Sequence, residues 1–265
     1  MANKKVTDHL GRTVKYSYPP KRIISIVPGV TDILYSLQLE NEIVGRTRYC
    51  IYPKDKVEQA KKIGGTKKVK SDQIRELEPD LIIAEKEENT KEIVEMLEEE
   101  FPVYVCEMQS VDDTYKIIED LGKVTGRESE AKKLQVKIKT AFESLPSGQG
   151  KKFAYVIWQN PYMVVGSDTY ITSLLEKMGF INAFSGYDGR YPAVTEDDFR
   201  EADLNYVFLA TEPFPFQEKH IKEFSALFPD IHVMSLDGEM FWYGPRMIEA
   251  AEYFNKVFNK ATTSD

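Results

Sequence analysis

The chain has 265 residues, 42% of them hydrophobic and 29% charged, and a formal net charge of −8. That length allows two modest domains or one large one, and that composition can bury a proper core, so a globally disordered chain is excluded. The negative balance excludes nucleic acid as the main partner, because phosphate binding needs a basic field.

Cys50 and Cys106 form no CxxC pair. Two cysteines make neither a disulfide framework nor a zinc cluster, so buried free thiols are expected. His9, His220 and His232 lie far apart and suggest no metal-ligand set. No apolar run reaches about 18 residues, hence no transmembrane helix is expected. Met1 to Lys5 leads straight into Val6 without the apolar core of a signal peptide, which reads as a cytoplasmic chain or as one whose leader was removed.

Residues 6–14 alternate loosely and read as a small hairpin at the edge of a first lobe. Residues 22–27 are a short apolar strand, buried on both faces as in a parallel sheet. Pro28-Gly29 reads as a turn, with Thr31 as N-cap of a helix over 32–39. Strands are predicted over 43–47, 80–84 and 102–106. Helices are predicted over 72–77, capped by Ser71, and over 89–100.

Residues 110–145 then form one helical run. Val111, Tyr115, Ile118, Leu121 and Val124 make an apolar stripe that Ala131, Leu134, Ile138, Ala141 and Leu145 continue. Ser110 with Asp113 resembles a capping box, Gly126 is the expected joint, and Pro146 closes the end. The run reads either as a surface helix of one large domain or as a connector joining two lobes. After Pro146-Ser147-Gly148 the alternation restarts: strands over 152–158 and 162–165 in a hairpin, a helix over 169–178, a strand over 206–210, a helix over 218–228, a strand over 232–236 and a last helix over 246–259.

The two halves echo each other, which favours the connector. Residues 31–41 align with 172–182, and Gly45 then matches Gly186. Residues 72–76 align with 197–201, each piece leading into an apolar strand. Phe101-Pro102 matches Phe228-Pro229. The expected fold is α/β, with two similar lobes of mainly parallel sheet: an N-terminal lobe over 1–110, a connecting helix over 111–146 and a C-terminal lobe over 147–265.

Ligands of open α/β sheets bind beyond the carboxyl ends of strands, and pockets favour domain interfaces. The residues following the strands are therefore the candidates: Arg48, Tyr49 and Glu85 in the first half, and Trp158, Tyr162, Tyr191, Trp242 and Arg246 in the second. The aromatic ones read as walls of a cleft for a large, flat or partly apolar ligand, or as lids of the core. Arg46, Arg48, Arg190 and Arg246 could meet carboxylates or phosphates of such a ligand, or make ordinary surface ion pairs. No P-loop, GxGxxG, GxSxG or HExxH occurs, so no catalytic residue, bound metal or intrinsic cofactor is assigned.

Residues 22–34, with Pro28-Gly29 and Thr31-Asp32 inside them, resemble the opening of class III periplasmic binding proteins, the helical-backbone receptors for vitamin B12, ferric siderophores and haem. Residues 44–50, Ile63-Gly64-Gly65, Glu78-Pro79-Asp80 and Gly244-Pro245-Arg246 extend the resemblance over nearly the whole chain from about residue 6. The vitamin B12 branch looks nearest, through the Tyr49 loop, although Glu85 to Glu88 stand where such a receptor tends to show an aromatic.

The resemblance implies a two-lobed monomeric receptor bridged by one long helix, with its ligand, a corrinoid or ferric chelate, held between the lobes outside the cytoplasm. It also implies delivery to the permease of an ABC importer, which docks on one exposed acid per lobe; Asp72 and Asp197 match those positions. Both are equally well read as helix N-terminal acids favoured by the helix dipole. A cofactor-handling protein or enzyme of the cytoplasm, on the same scaffold, is the alternative.

Overall fold

A computed structural model describes residues 2–261, which divide into two compact units. One holds the described residues up to Met108 together with Asp112–Lys139. The other holds Gln109–Val111 and the described residues from Thr140 onward.

In the first unit, β1 (Ala2–Thr7) and β2 (Thr13–Tyr18) form an antiparallel hairpin. There follow β3 (Ile23–Ser25), α1 (Pro28–Ser36), β4 (Ile43–Arg46), β5 (Lys61–Lys62), α2 (Ser71–Glu76), β6 (Leu81–Glu85), α3 (Lys91–Glu98) and β7 (Val103–Cys106). Two helices, α4 (Val111–Thr125) and α5 (Glu128–Phe142), complete the series. The sheet runs β5-β4-β3-β6-β7 and every pairing in it is parallel. Every residue of β3, β6 and β7 is buried, as a parallel strand covered on both faces requires.

The start of α1 differs from the expectation. Thr31 is not its N-cap, because the helix begins three residues earlier at Pro28. Proline lacks an N–H and has a helical φ, so it fits the first turn at no cost in hydrogen bonds. The Thr31 hydroxyl donates inward instead, 2.8 Å from the Val27 carbonyl and 2.8 Å from Ser25 Oγ.

The run over 110–145 breaks fully at Gly126, whose φ of +73° is a left-handed value that suits glycine. Both helices contribute to the first unit, which includes Asp112–Lys139. They touch where Gly122 meets Ala131: a Cβ at 122 would lie 2.6 Å from that of Ala131. Tyr16 Oη donates to the Val124 carbonyl (2.9 Å), which ties the hairpin to α4.

β7 is an edge strand, and the hairpin tip covers it. His9 N donates to Val105 O (3.1 Å), Arg12 Nη2 to Val103 O (3.2 Å), and Val105 N to the Asp8 carboxylate (3.3 Å). Buried Asp8 also accepts from the amides of Leu10 and Arg12 and from Arg12 Nε (3.0, 2.9 and 2.9 Å). His9 Nδ1 accepts from the Glu107 amide (3.2 Å), which leaves the ring proton on Nε2, facing Asp120 Oδ2 at 3.2 Å.

The second unit contains β8 (Lys152–Trp158), β9 (Tyr162–Val164), α6 (Tyr170–Lys177), β10 (Ile181–Asn182), β11 (Ala193–Val194), α7 (Glu196–Glu201), β12 (Tyr206–Ala210), α8 (Glu218–Leu227), β13 (His232–Leu236) and α9 (Arg246–Ala261). Its sheet runs β11-β9-β8-β12-β13, with β10 beside β8. β8, β12 and β13 are parallel, whereas β9 folds back antiparallel on β8 as the predicted hairpin. Val156, Phe184, Phe199, Val207 and Phe224 lie in its core.

The repeat holds for the helices. α2 and α7 are both six residues long and each precedes a central strand, β6 or β12. It fails at Gly45 and Gly186. Gly45 lies in β4, where a Cβ would meet Leu77 at 2.9 Å, while Gly186 sits in a turn with nothing near it.

Replacing Asp8 by alanine removes the acceptor of five hydrogen bonds, two of them from the partly buried Arg12 guanidinium. Asp8→Ala is expected to lower unfolding stability by about 3 kcal/mol. Urea denaturation reads this directly, and a loss near zero would show that the clasp is not holding the edge.

Candidate functional site

Parallel pairing brings the carboxyl ends of the strands to one edge of each sheet. In the first unit that edge carries Arg48 and Tyr49 after β4, Lys67 beyond β5, Glu85–Glu88 at the end of β6 and Glu107 after β7. Tyr49 is 46% exposed. Arg48 Nη2 donates to its hydroxyl (2.6 Å) and the guanidinium lies 4.8 Å from the ring centroid, so the two side chains form one pair. Gly65 lets this pair approach the backbone, since a Cβ there would lie 3.2 Å from the Tyr49 ring. Lys67 donates to the Glu87 carbonyl, and Lys86 pairs with Glu107 at 2.5 Å.

Glu85 is turned inward and only 2% exposed. Its carboxylate accepts from the amides of Glu87 and Glu88 (2.9 Å each) and of Met108 (3.2 Å), which shapes the loop and ties the end of β6 to the segment after β7. Burial outweighs these amides and pushes its pKa up to about 7. Arg46 is also interior and has no exposed surface. Its Nε donates to Val57 O (2.9 Å), Nη1 to Cys50 O (3.0 Å), and it pairs with Glu58 at 2.8 Å, so it braces residues 47–58. Asn89, which the sequence reading passed over, accepts from the Glu85 amide (2.9 Å) and donates to Ile26 O (3.2 Å) and Thr66 O (3.0 Å). It joins three strand exits with one side chain.

In the second unit the edge is aromatic. Trp158, at the end of β8, is 42% exposed and stands edge-on to Phe214 with ring centroids 5.6 Å apart. Trp242 is half-buried, and its indole Nε1 donates to Glu212 Oε1 (2.7 Å). The segment after β12, residues 211–214, thus touches both tryptophans. Gly238 N donates to Thr211 Oγ1 (2.9 Å), so the segment after β13 is bound to it as well. Arg246 is nearly buried at the start of α9 and reaches Glu249 (2.8 Å) and Glu239 (3.3 Å). Tyr191 is partly exposed in a loop anchored by Gly166 N to Arg190 O (2.8 Å) and Val164 N to Pro192 O (3.1 Å). Tyr162 instead packs on the core, 5.8 Å from Phe199 and 5.1 Å from Phe224, ring centroid to centroid.

Asp72 and Asp197 occupy matching places, each the second residue of a six-residue helix. Their side chains are 94% and 85% exposed, and each pairs with the arginine three residues on, Arg75 at 2.9 Å and Arg200 at 2.7 Å. Arg75 also binds Glu100 (2.6 Å), and Arg200 binds Glu196 (3.0 Å).

Among the described residues, no group of three or more His, Cys, Asp or Glu side chains is placed to hold a metal ion. Both cysteines are buried and free. No helix among the described residues is long and apolar enough to cross a membrane.

The described residues thus form two α/β units, each with a mostly parallel core sheet whose carboxyl edge carries polar or aromatic side chains. The profile of the periplasmic binding protein family matches residues 23–227, and the chain belongs to that family. An uncharacterised ABC transporter substrate-binding lipoprotein of Bacillus subtilis is 26% identical over 196 residues, covering 69% of this chain and 62% of the relative. A vitamin B12-binding protein of Vibrio cholerae is 24% identical over 183 residues, covering 67% of this chain and 66% of the relative. The match thus spans a little under two thirds of the length of these curated relatives. Among solved structures, a possible iron-binding, periplasmic solute-binding protein from Staphylococcus epidermidis superposes with a TM-score of 0.77 at 23% identity, covering 91% of this chain and 99% of that one.

The raised Glu85 pKa gives a signed expectation. The neutral carboxyl is favoured in the fold, so its contribution is fully present below pH 4.5 and is lost as pH rises through about 7. Wild type should therefore lose stability relative to Glu85→Gln across that window, and the two should run parallel outside it. Thermal midpoints of both proteins measured from pH 4 to 8 test this; a constant difference throughout would contradict it.

Proposed function

We propose that this protein is the solute-binding component of an ABC importer, working outside the cytoplasm as a receptor and not as an enzyme. Its ligand is a metal-containing cofactor or chelate, a corrinoid or a ferric siderophore. The observation that carries this reading is the pair of carboxyl edges. One presents the Arg48–Tyr49 pair with Lys67 and Lys86, and the other presents Trp158, Phe214 and Trp242. Cationic side chains match carboxylates at a chelate's rim, and aromatic faces match its flat, delocalised body. Family membership and the vitamin B12-binding relative support the same class of ligand.

Asp72 and Asp197 serve as docking acids for the permease. Their near-full exposure at matching helix starts supports this role. A neighbouring arginine fixes each carboxylate's direction, at little gain in stability for so exposed a pair. Tyr162 and Glu85 act from within the fold, one packing behind the second edge and the other shaping the loop of the first.

Tryptophan fluorescence tests the ligand class. Titration with hydroxocobalamin, haemin and a set of ferric siderophores, each corrected for inner-filter absorption, should give saturable quenching with one of them at micromolar concentration. No saturable quenching by any of them would overturn the reading. Charge reversal at both acids, Asp72→Arg with Asp197→Arg, should leave that titration unchanged and lower importer-dependent uptake of the ligand by about tenfold or more. Unchanged uptake would remove the docking role from these two residues.

A further inference from the structure

Trp242 has one polar atom, the indole N–H, and Glu212 holds it at 2.7 Å. A tryptophan whose N–H is already satisfied offers a neighbour only its ring face and apolar edges. Its acceptor is a side-chain carboxyl oxygen of the fold itself, at a normal hydrogen-bond distance. The bond is also built into the fold. Glu212 follows β12, while Trp242 closes a short 3-10 turn, Gly238–Phe241, that follows β13. Gly238 N donates to Thr211 Oγ1, and Thr211 N donates to Leu236 O (3.2 Å). The two loops are thus laced together through Thr211, the residue before Glu212. Gly238 has no side chain where one would intrude on the Glu212 stem, since an added Cβ would overlap Glu212 Cγ. Glycine here is what lets the Glu212 stem pass and reach the indole.

We propose that Glu212 is a positioning residue for ligand binding. It captures the Trp242 N–H and so fixes the indole as a stacking wall, while making no required contact with the ligand itself. This rests on the receptor reading above. It also narrows the recognition chemistry at this edge. Trp242 contributes by stacking and apolar contact, not by donating a hydrogen bond to a ligand oxygen. Trp158 presents itself in a related way, supported edge-on by Phe214 from the same loop.

The test has one arm with ligand and one without. In the ligand-free arm Trp158→Phe leaves Trp242 as the sole tryptophan, and the solvent exchange of its 15N-labelled indole N–H is followed by NMR. Adding Glu212→Ala should speed that exchange by about tenfold, and Glu212→Gln, whose amide oxygen can still accept, should change it little. Equal exchange in all three proteins would overturn the proposal.

In the ligand arm, hydroxocobalamin and haemin are titrated by their own absorbance. Whichever probe binds wild type should bind Glu212→Ala about three- to tenfold more weakly and Glu212→Gln nearly as well as wild type. The same Glu212→Ala change made on a Trp242→Phe background should have no further effect, because phenylalanine has no N–H to hold. An undiminished loss on that background would mean that Glu212 acts on the ligand directly, and the positioning role would fall. If neither probe binds wild type, the receptor reading fails for these ligands, and the exchange arm alone decides whether Glu212 holds Trp242.

Discussion

Parallel strand pairing is the constraint from which the rest follows. A parallel pair cannot be closed by a tight turn, so β4, β6 and β7 in one sheet, and β12 and β13 in the other, are each reached through a crossover. Crossover helices cover both faces of a sheet, which is why β3, β6 and β7 are buried along their whole length. The same crossovers place the carboxyl ends of the parallel strands on one edge. Recognition can then vary in the loops while the buried strands stay as they are.

The two edges use this freedom differently. In the first unit the exposed groups are polar and work in pairs: Arg48 with Tyr49, Lys86 with Glu107, Lys67 with a backbone carbonyl. In the second they are rings backed by side chains of one loop, Trp158 by Phe214 and Trp242 by Glu212. Behind each edge lies a polar brace, buried in the first unit and exposed in the second. Asn89 and Glu85 join the strand exits of the first unit, and Thr211 joins those of the second. Asn89 and Glu85 hold their loops in register from beneath the exposed surface, whereas Thr211 does so at the surface.

Strand positions, most helices and the repeat were legible in the sequence because they rest on local periodicity. β8, β12 and β13 stand where alternation and turn residues placed them. β5, β10 and β11 escaped, since two residues carry no period and exist as strands only through their partners. The candidate residues could be assigned from sequence to a strand end, but not to a direction. Glu85 and Arg46 end strands as the exposed candidates do, yet both turn inward because backbone amides and carbonyls wait for them there. Asn89 gave no signal at all, because its three partners are brought together only by the finished sheet.

The hairpin that covers β7 is held by the most distant partners in the first unit. Asp8 to Val105 spans 97 positions, Tyr16 to Val124 spans 108, and His9 to Asp120 spans 111. Closing such loops costs entropy before any contact is gained. Whenever the hairpin is undocked, the edge of β7 exposes unpaired backbone groups, an open template for a neighbouring strand. The clasp that joins distant parts of the chain is thus also the guard of that edge against strand addition.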